Sequence, residues 1–240
     1  MRLALYITFI AALILNSACS GLKKPEALTE REKWIESFRD SIEIFQRESN
    51  DIQIRLSDCN AKMASELDKF EYVSDPRQVT GYYILKGWNS KIPFTNTAIY
   101  ARVNDGEKLE LIATLRGKTF NKISVSDGAT SVQSELVPHD QALNYRHSNF
   151  NTVCFSGLAA DSVAEYIASH HSSRLELNFI EGDKKISFTL PTEQKEMLTE
   201  TWKLFATQQE QKDLQKQLWI LSRKIDTSRR MLENADSLKI

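Results

Sequence analysis

Two long segments without glycine or proline flank a middle rich in β-branched residues, and this arrangement constrains the fold most strongly. The first segment runs from about Leu28 to Tyr72, and its apolar residues alternate three and four positions apart. They are Ile35, Phe38, Ile42, Phe45, Ile52, Leu56, Cys59, Met63 and Phe70. This spacing is the a/d heptad of a coiled coil. We therefore predict a long helix over residues 28–73, which Pro76 prevents from continuing.

The second segment, residues 191–236, has the same periodicity. Thr192 is a suitable N-cap, with Glu193 in the first turn. The heptad positions hold Met197, Leu204, Leu214, Leu218, Leu221, Ile225, Leu232 and Ala235. Two such helices predict an antiparallel coiled-coil stalk in which the polar residues Ser49 and Gln211 meet at nearly the same height. The alternatives are that both helices pack on the sheet or pair with other chains.

The middle of the chain, residues 80–190, has the pattern of an antiparallel β domain. Short runs rich in β-branched and aromatic residues are separated by hairpin signals such as Asp127-Gly128. The predicted strands are 82–88, 97–103, 109–116, 119–125, 131–137, 151–155, 174–180 and 185–190. One short helix, about Ala159–Ser169, should bury Val163, Tyr166 and Ile167.

The expected fold is therefore α+β. An antiparallel β-sandwich or curved sheet carries one short helix, and two long N- and C-terminal helices flank it in sequence and form the stalk.

The first eighteen residues have the composition of a secretory signal peptide. Arg2 precedes an apolar stretch of 13 residues, Leu3 to Leu15, and small residues follow it. A membrane-spanning helix needs about 20 apolar residues, so this stretch is too short for one. Cys19, directly after Ser17-Ala18, resembles the lipobox cysteine of bacterial lipoproteins, although Asn16 stands where that family usually has leucine.

That resemblance implies that Cys19 carries the lipid, palmitate included, and becomes the first mature residue. Residues 19–27 would form a tether to the membrane. Ser20 after the cysteine, in place of aspartate, implies the outer membrane of a bacterial envelope, with the protein facing the periplasm. The alternative is an ordinary secretory signal, cut near Ala18, with an incidental cysteine.

Composition gives no case for nucleic-acid binding. The 31 lysines and arginines fall to 30 when Arg2 is removed, against 32 acidic residues, so the mature chain has a net charge near −2. Nucleic-acid binding usually shows a basic patch instead.

Cys59 and Cys154 would lie in an oxidising compartment, where a disulfide between them is permitted. The favoured interpretation is two core thiols, because free cysteine behaves as a small buried hydrophobe. Two cysteines alone do not form a metal site.

The sequence contains no catalytic, metal-binding or cofactor motif that we can assign. His170-His171 is typical of a solvated helix C-terminus. A triad of His139 and Asp140 with Ser156 or Ser162 lacks the glycine pattern of a nucleophile elbow. An aromatic group on the first strands, formed by Tyr82, Tyr83, Trp88 and Tyr100, is either core or a binding surface.

Residues 174–198 have the pattern of a strand, a Glu-Gly-Asp hairpin, a second strand and an acidic-capped helix. This stretch resembles the C-terminal part of uncharacterised lipoproteins of Bacteroides and its relatives. The resemblance supports the hairpin-then-helix interpretation and implies no activity.

We therefore expect a non-enzymatic, lipid-anchored envelope protein whose β domain binds a protein partner or serves in assembly. The other hypotheses are a hydrolase of an envelope polymer, with a pocket near His139 and Ser156, and a structural stalk that oligomerises. The ligand-binding residues are not evident from the sequence.

Overall fold

The computed structural model describes residues 29–74, 81–92, 96–105, 108–140 and 142–237. The predicted signal peptide, Cys19 and the whole of the predicted tether lie outside these ranges. The fold is α+β, as expected. In chain order, the elements are α1 (Glu30–Leu67), β1 (Phe70–Val73), β2 (Tyr82–Leu85), a 3-10 turn (Asn89–Lys91), β3 (Ala98–Asn104), β4 (Leu109–Arg116), β5 (Lys122–Ser126), β6 (Ser131–Gln133), β7 (Asn144–His147), β8 (Phe150–Ser156), α2 (Leu158–Ser169), β9 (Glu176–Glu181), β10 (Lys184–Thr189) and α3 (Thr192–Ser237).

The strands of the described residues form two antiparallel sheets that pack broadly as a sandwich. The larger sheet has the order β1-β2-β3-β4-β8-β7, and the smaller has the order β10-β9-β5-β6. Phe155 of the larger sheet and Phe179 of the smaller sheet both contact Phe120, whose side chain is fully buried. The hydrophobic core therefore lies between the sheets, as the alternating strand patterns predict.

The prediction that the first helix continues to Tyr72 is wrong. The helix ends at Leu67, and Phe70–Val73 forms β1, which pairs with β2. Phe70 continues the heptad spacing, but aromatic and β-branched residues favour a pleated, half-buried surface. Pairing with Leu85 across the sheet buries Phe70 and decides its conformation.

A buried asparagine network joins β7 and β8 to the segments around them. The Asn144 amide donates to the carbonyls of Phe120 (3.2 Å) and Val137 (2.8 Å), and its Oδ1 accepts from the Asn151 amide (2.9 Å). Asn151 Oδ1 in turn accepts from the Phe120 backbone N–H (2.8 Å). Both asparagines are at most 2% exposed, so their hydrogen bonds satisfy polar groups that water does not reach.

The two long helices pack against each other along their length and run antiparallel. Near the start of α1, Arg31 donates to the carbonyl of Ala235, which lies near the end of α3. At the opposite end, Lys69, just after α1, pairs with Glu200 of α3. Every predicted heptad position within α1 is half-buried or buried, whereas nearly all other α1 positions are exposed. The heptad pattern thus identified the contact face correctly.

The predicted register of the two helices is wrong. The Gln211 amide donates to Asn60 Oδ1 (2.7 Å), and it does not lie opposite Ser49, which is 11 residues earlier in α1. The register was predicted by counting from the helix ends. That count fails because the first turns of α3 extend past the end of α1 and pack on the β domain, so the two helix ends are not level.

The first turns of α3 cover an edge of β3 that β2 leaves unpaired. The Ile99 N–H donates to Gln194 Oε1 (3.1 Å), and the Ala101 N–H donates to Met197 Sδ (3.3 Å). Buried backbone donors need such partners. The alternative in which a long helix packs on the sheet is therefore correct for the start of α3, and the remainder of α3 pairs with α1.

Candidate functional site

The outer face of the larger sheet brings aromatic, thiol and charged side chains close together. Tyr100, Ile112 and Cys154 lie side by side on β3, β4 and β8, because the register pairs Tyr100 with Ile112 and Ile112 with Cys154. Their neighbours along each strand point to the opposite face, into the core. This outer face is our candidate site.

A small cleft of about 150 Å³ opens on this face near its β7 edge. The residues that line it are Ile92, Tyr100, Ile112, Thr114, Tyr145, His147, Phe150 and Thr152. The Thr114 hydroxyl already donates to backbone carbonyls of residues 96 and 98, so aromatic and aliphatic groups dominate the remaining surface. A cavity of roughly 150 Å³ accommodates one small apolar ring or branched side chain.

An ion pair stands beside the cleft on the same face. Arg102 Nε lies 2.6 Å from Glu110 Oε2, and the two side chains are 20% and 18% exposed. The Asn104 amide donates to the other Glu110 oxygen (3.0 Å), and the Arg102 guanidinium lies 4.3 Å from the centre of the Tyr82 ring. Arginine held in this way presents remaining donors in a fixed direction.

Two titratable groups of this face, the Cys154 thiol and the Tyr100 hydroxyl, have raised pKa values. Burial, with a smaller contribution from the nearby Glu110 carboxylate, raises the pKa of the Cys154 thiol to about 12, while Arg102 opposes the shift. Burial likewise raises the pKa of Tyr100. At neutral pH both groups are therefore protonated, and a thiol in that state is a poor nucleophile. The face can hold an apolar group in the cleft and a polar group at the ion pair.

The structure does not bring together His139, Asp140 and a serine, the triad considered above as an alternative. The His139 ring contacts Asn144 Oδ1 (3.1 Å) and Glu181 (3.3 Å). The Asp140 carboxylate accepts three backbone N–H bonds within its own turn, which lower its pKa. Ser156 pairs in register with Glu110, and the Ser162 hydroxyl bonds its own helix at Leu158. Each residue thus has a separate local partner.

The histidine pair at the end of α2 serves local structure, as the sequence indicates. His170 stacks on Tyr166, with ring centres 4.2 Å apart, and its Nδ1 bonds the Tyr166 carbonyl. His171 Nδ1 bonds the Ala168 carbonyl. Asp127 lies 3.9 Å from His170, and backbone N–H bonds from Thr130 and Ala129 lower its pKa to about 2. Over the described ranges, no cluster of three or more His, Cys, Asp or Glu side chains is arranged to hold a metal ion.

Cys59 and Cys154 are free thiols, so the disulfide that the sequence permits is not formed. Cys59 is buried in the helix pair, where its Sγ lies 3.5 Å from the Thr207 carbonyl. Cys154 lies on the sheet, on the face that carries the cleft. Each thiol fills space in a different layer of the molecule.

The predicted aromatic group is divided between surfaces. Tyr82 and Tyr100 share the outer face, but Tyr83 packs on Tyr72 (ring centres 5.2 Å apart), and Trp88 is buried behind β2. Sequence reasoning missed the Arg102–Glu110 pair and the β7 residues of the cleft. The sequence Asn104-Asp105-Gly106 between the predicted strands 97–103 and 109–116 is a hairpin signal. A hairpin centred on it pairs Arg102 with Glu110, which is the register observed.

We compared the chain with protein-family models, with curated proteins and with solved structures, and nothing matches it in any of the three. Within the described part of the chain, no helix combines the length and the apolar character that crossing a membrane requires.

Proposed function

We propose that this chain is a lipid-anchored, periplasm-facing protein of the bacterial envelope, most simply of the outer membrane. Its β domain is a non-enzymatic module that binds a protein partner or takes part in assembly. The paired helices form a coiled-coil stalk that holds the module away from the membrane. The anchor is the lipid on Cys19.

The observation that carries this proposal is the geometry of the helix pair. The start of α1 and the end of α3 meet, since Arg31 donates to the Ala235 carbonyl. The β domain is inserted at the other end. An α-helix of 38 residues is about 57 Å long. A chain tethered near Thr29 would therefore carry its β domain several nanometres from the point of attachment.

The cleft with its neighbouring ion pair supports a binding role for the β domain. It combines an apolar recess with a fixed arginine–carboxylate pair, and such combinations give both contact area and orientation. Tyr145, at 42% exposed, stands at the rim. Aromatic and arginine side chains are the residues that most often dominate protein-binding surfaces.

The anchor is tested by replacing Cys19 with serine. We expect the mature wild-type protein to sediment with membranes and to carry the mass of a lipid, and we expect C19S to lose both properties. The matched control Cys154→Ser should remain in the membrane fraction. An unmodified Cys19 in the wild type, or cleavage at another bond, contradicts the proposal when measured by intact-mass spectrometry.

The binding surface is tested by photocrosslinking in intact cells with the native anchor in place. A photoreactive aromatic residue at Tyr145 should yield a discrete protein adduct, because that side chain borders the cleft. The same residue at Phe188, which is 39% exposed on the other sheet, is the control. Equal adduct yields at both positions would reject the cleft as the binding surface.

A further inference from the structure

The end of the helix pair where α1 begins exposes apolar surface from both helices. Trp34 is 65% exposed and Met231 is 47% exposed. They border a recess of about 440 Å³ whose other lining residues are Glu30, Arg31, Asn234 and Ala235. Trp34 packs edge-to-face on Phe38, with ring centres 5.6 Å apart, which fixes the indole at the surface. We call Trp34, Met231 and this recess the proximal patch.

We propose that the proximal patch is seated in the headgroup region of a phospholipid bilayer. This inference rests on the proposed lipid anchor at Cys19. It adds a second contact between the protein and the membrane, made by side chains of the folded helix pair.

The length of chain between the anchor and the helix places the patch near the lipid. Thr29, the N-cap of α1, follows Cys19 by ten positions, and a fully extended chain of that length spans at most about 36 Å. The opposite end of the helix pair, where the β domain lies, is about 57 Å further along α1. The patch is therefore the folded surface that a lipid on Cys19 brings closest to a membrane.

The chemistry of the patch suits the boundary between headgroups and acyl chains. Tryptophan combines a large apolar ring with one N–H donor and is enriched at both membrane–water interfaces. Met231 adds a flexible apolar side chain beside it. Exposed apolar side chains that share one recess indicate a surface that is covered in use.

The charged residues of the first turn of α1, which line or adjoin the patch, have partners within the protein. Glu30 pairs with Lys33 (3.0 Å), and the Glu32 carboxylate accepts the Thr29 N–H (2.7 Å) in a capping box. Arg31 donates to the Ala235 carbonyl. With Glu30 and Glu32 paired in this way, the helix end suits a headgroup layer that contains both charges, such as one rich in phosphatidylethanolamine.

A second exposed tryptophan supplies a matched control. Trp219 is 63% exposed, nearly the same as Trp34, but it precedes Ala235 by 16 residues in α3, about 24 Å along the helix axis. It borders a groove with Ser49 and Asn50, away from the proximal patch. An upright stalk brings only Trp34 to the lipid, whereas a stalk lying flat would bring both tryptophans to it.

The experiment reconstitutes the full lipidated protein in vesicles of phosphatidylethanolamine and phosphatidylglycerol with brominated acyl chains, which quench nearby tryptophan fluorescence. We expect a quenched component that is lost in Trp34→Phe and unchanged in Trp219→Phe. Quenching that is unaffected by Trp34→Phe overturns the inference, as does equal loss in both variants. If Trp34 becomes less quenched as the density of protein in the vesicle rises, a second copy of the chain covers the patch, and the inference is also overturned.

The proposed lipid anchor and the proposed membrane contact of the proximal patch can be rejected independently. If the purified protein has an unmodified Cys19 and does not float with vesicles, the proposed anchor is wrong, and the inference that rests on it is overturned too. If the protein is lipidated and floats but Trp34 is not quenched, the anchor stands and the patch alone is rejected.

Discussion

Replacing Asn144 by alanine should lower the free energy of unfolding by about 3–5 kcal/mol. The change removes the amide that bonds the Phe120 and Val137 carbonyls and the oxygen that accepts from Asn151. Each buried polar group left unpaired costs about 1–3 kcal/mol. Since domains of this kind are stable by only about 5–15 kcal/mol, the variant would be close to unfolding. Denaturant titration, followed by circular dichroism, measures the loss.

Two further variants separate hydrogen bonding from packing at this position. Asn144→Leu restores the side-chain volume but leaves the two carbonyls unpaired, so its loss should be similar to that of the alanine variant. Asn149→Ala, in the exposed turn of the same hairpin, should change stability by less than about 0.5 kcal/mol. If the leucine variant is as stable as the wild type, the asparagine network does not stabilise the fold in the way we describe.

Replacing Phe120 by alanine should cost about 3–5 kcal/mol, a typical loss for a fully buried aromatic side chain. Phe120 is 0% exposed and packs edge-to-face on Phe179, with ring centres 4.8 Å apart, while its other neighbour is Phe155. The substitution therefore leaves a cavity between the two sheets. Thermal and denaturant unfolding should report the same loss.

The control for this prediction is Phe188→Ala. Phe188 also contacts Phe179, with ring centres 5.7 Å apart, but it is 39% exposed on an edge strand. It buries less surface, so its loss should be less than half that of the Phe120 variant. Equal losses for the two variants would mean that the core is not centred between the sheets.

The sequence predicted the elements whose signals are local and periodic. The heptad positions of α1 and α3 are buried or half-buried, and the strand predicted over Leu109–Arg116 has the bounds observed for β4. Periodicity reveals which face of a helix is buried, but it does not say which residue lies opposite. For that reason Gln211 was paired with Ser49, whereas its partner is Asn60.

The missed elements depend on distant partners. Strand β7 consists of Asn144, Tyr145, Arg146 and His147, a polar sequence without β-branched residues, and it is a strand because it pairs with β8. The cleft combines residues of four strands with Ile92 from a connecting segment. Of the candidate site, the sequence singled out Tyr82, Tyr100 and Cys154, while Arg102, Glu110 and Tyr145 required the sheet register.

The seven-residue repeat of the helix pair has a mechanical consequence. Each layer of contacts involves only nearby residues of α1 and α3, so the pair can be lengthened or shortened in matched steps of seven residues without altering the layers that remain. One step changes the height of the β domain by about 10 Å. The distance between the free end of the helix pair and the cleft of the β domain is thus set by the number of seven-residue steps in the two helices.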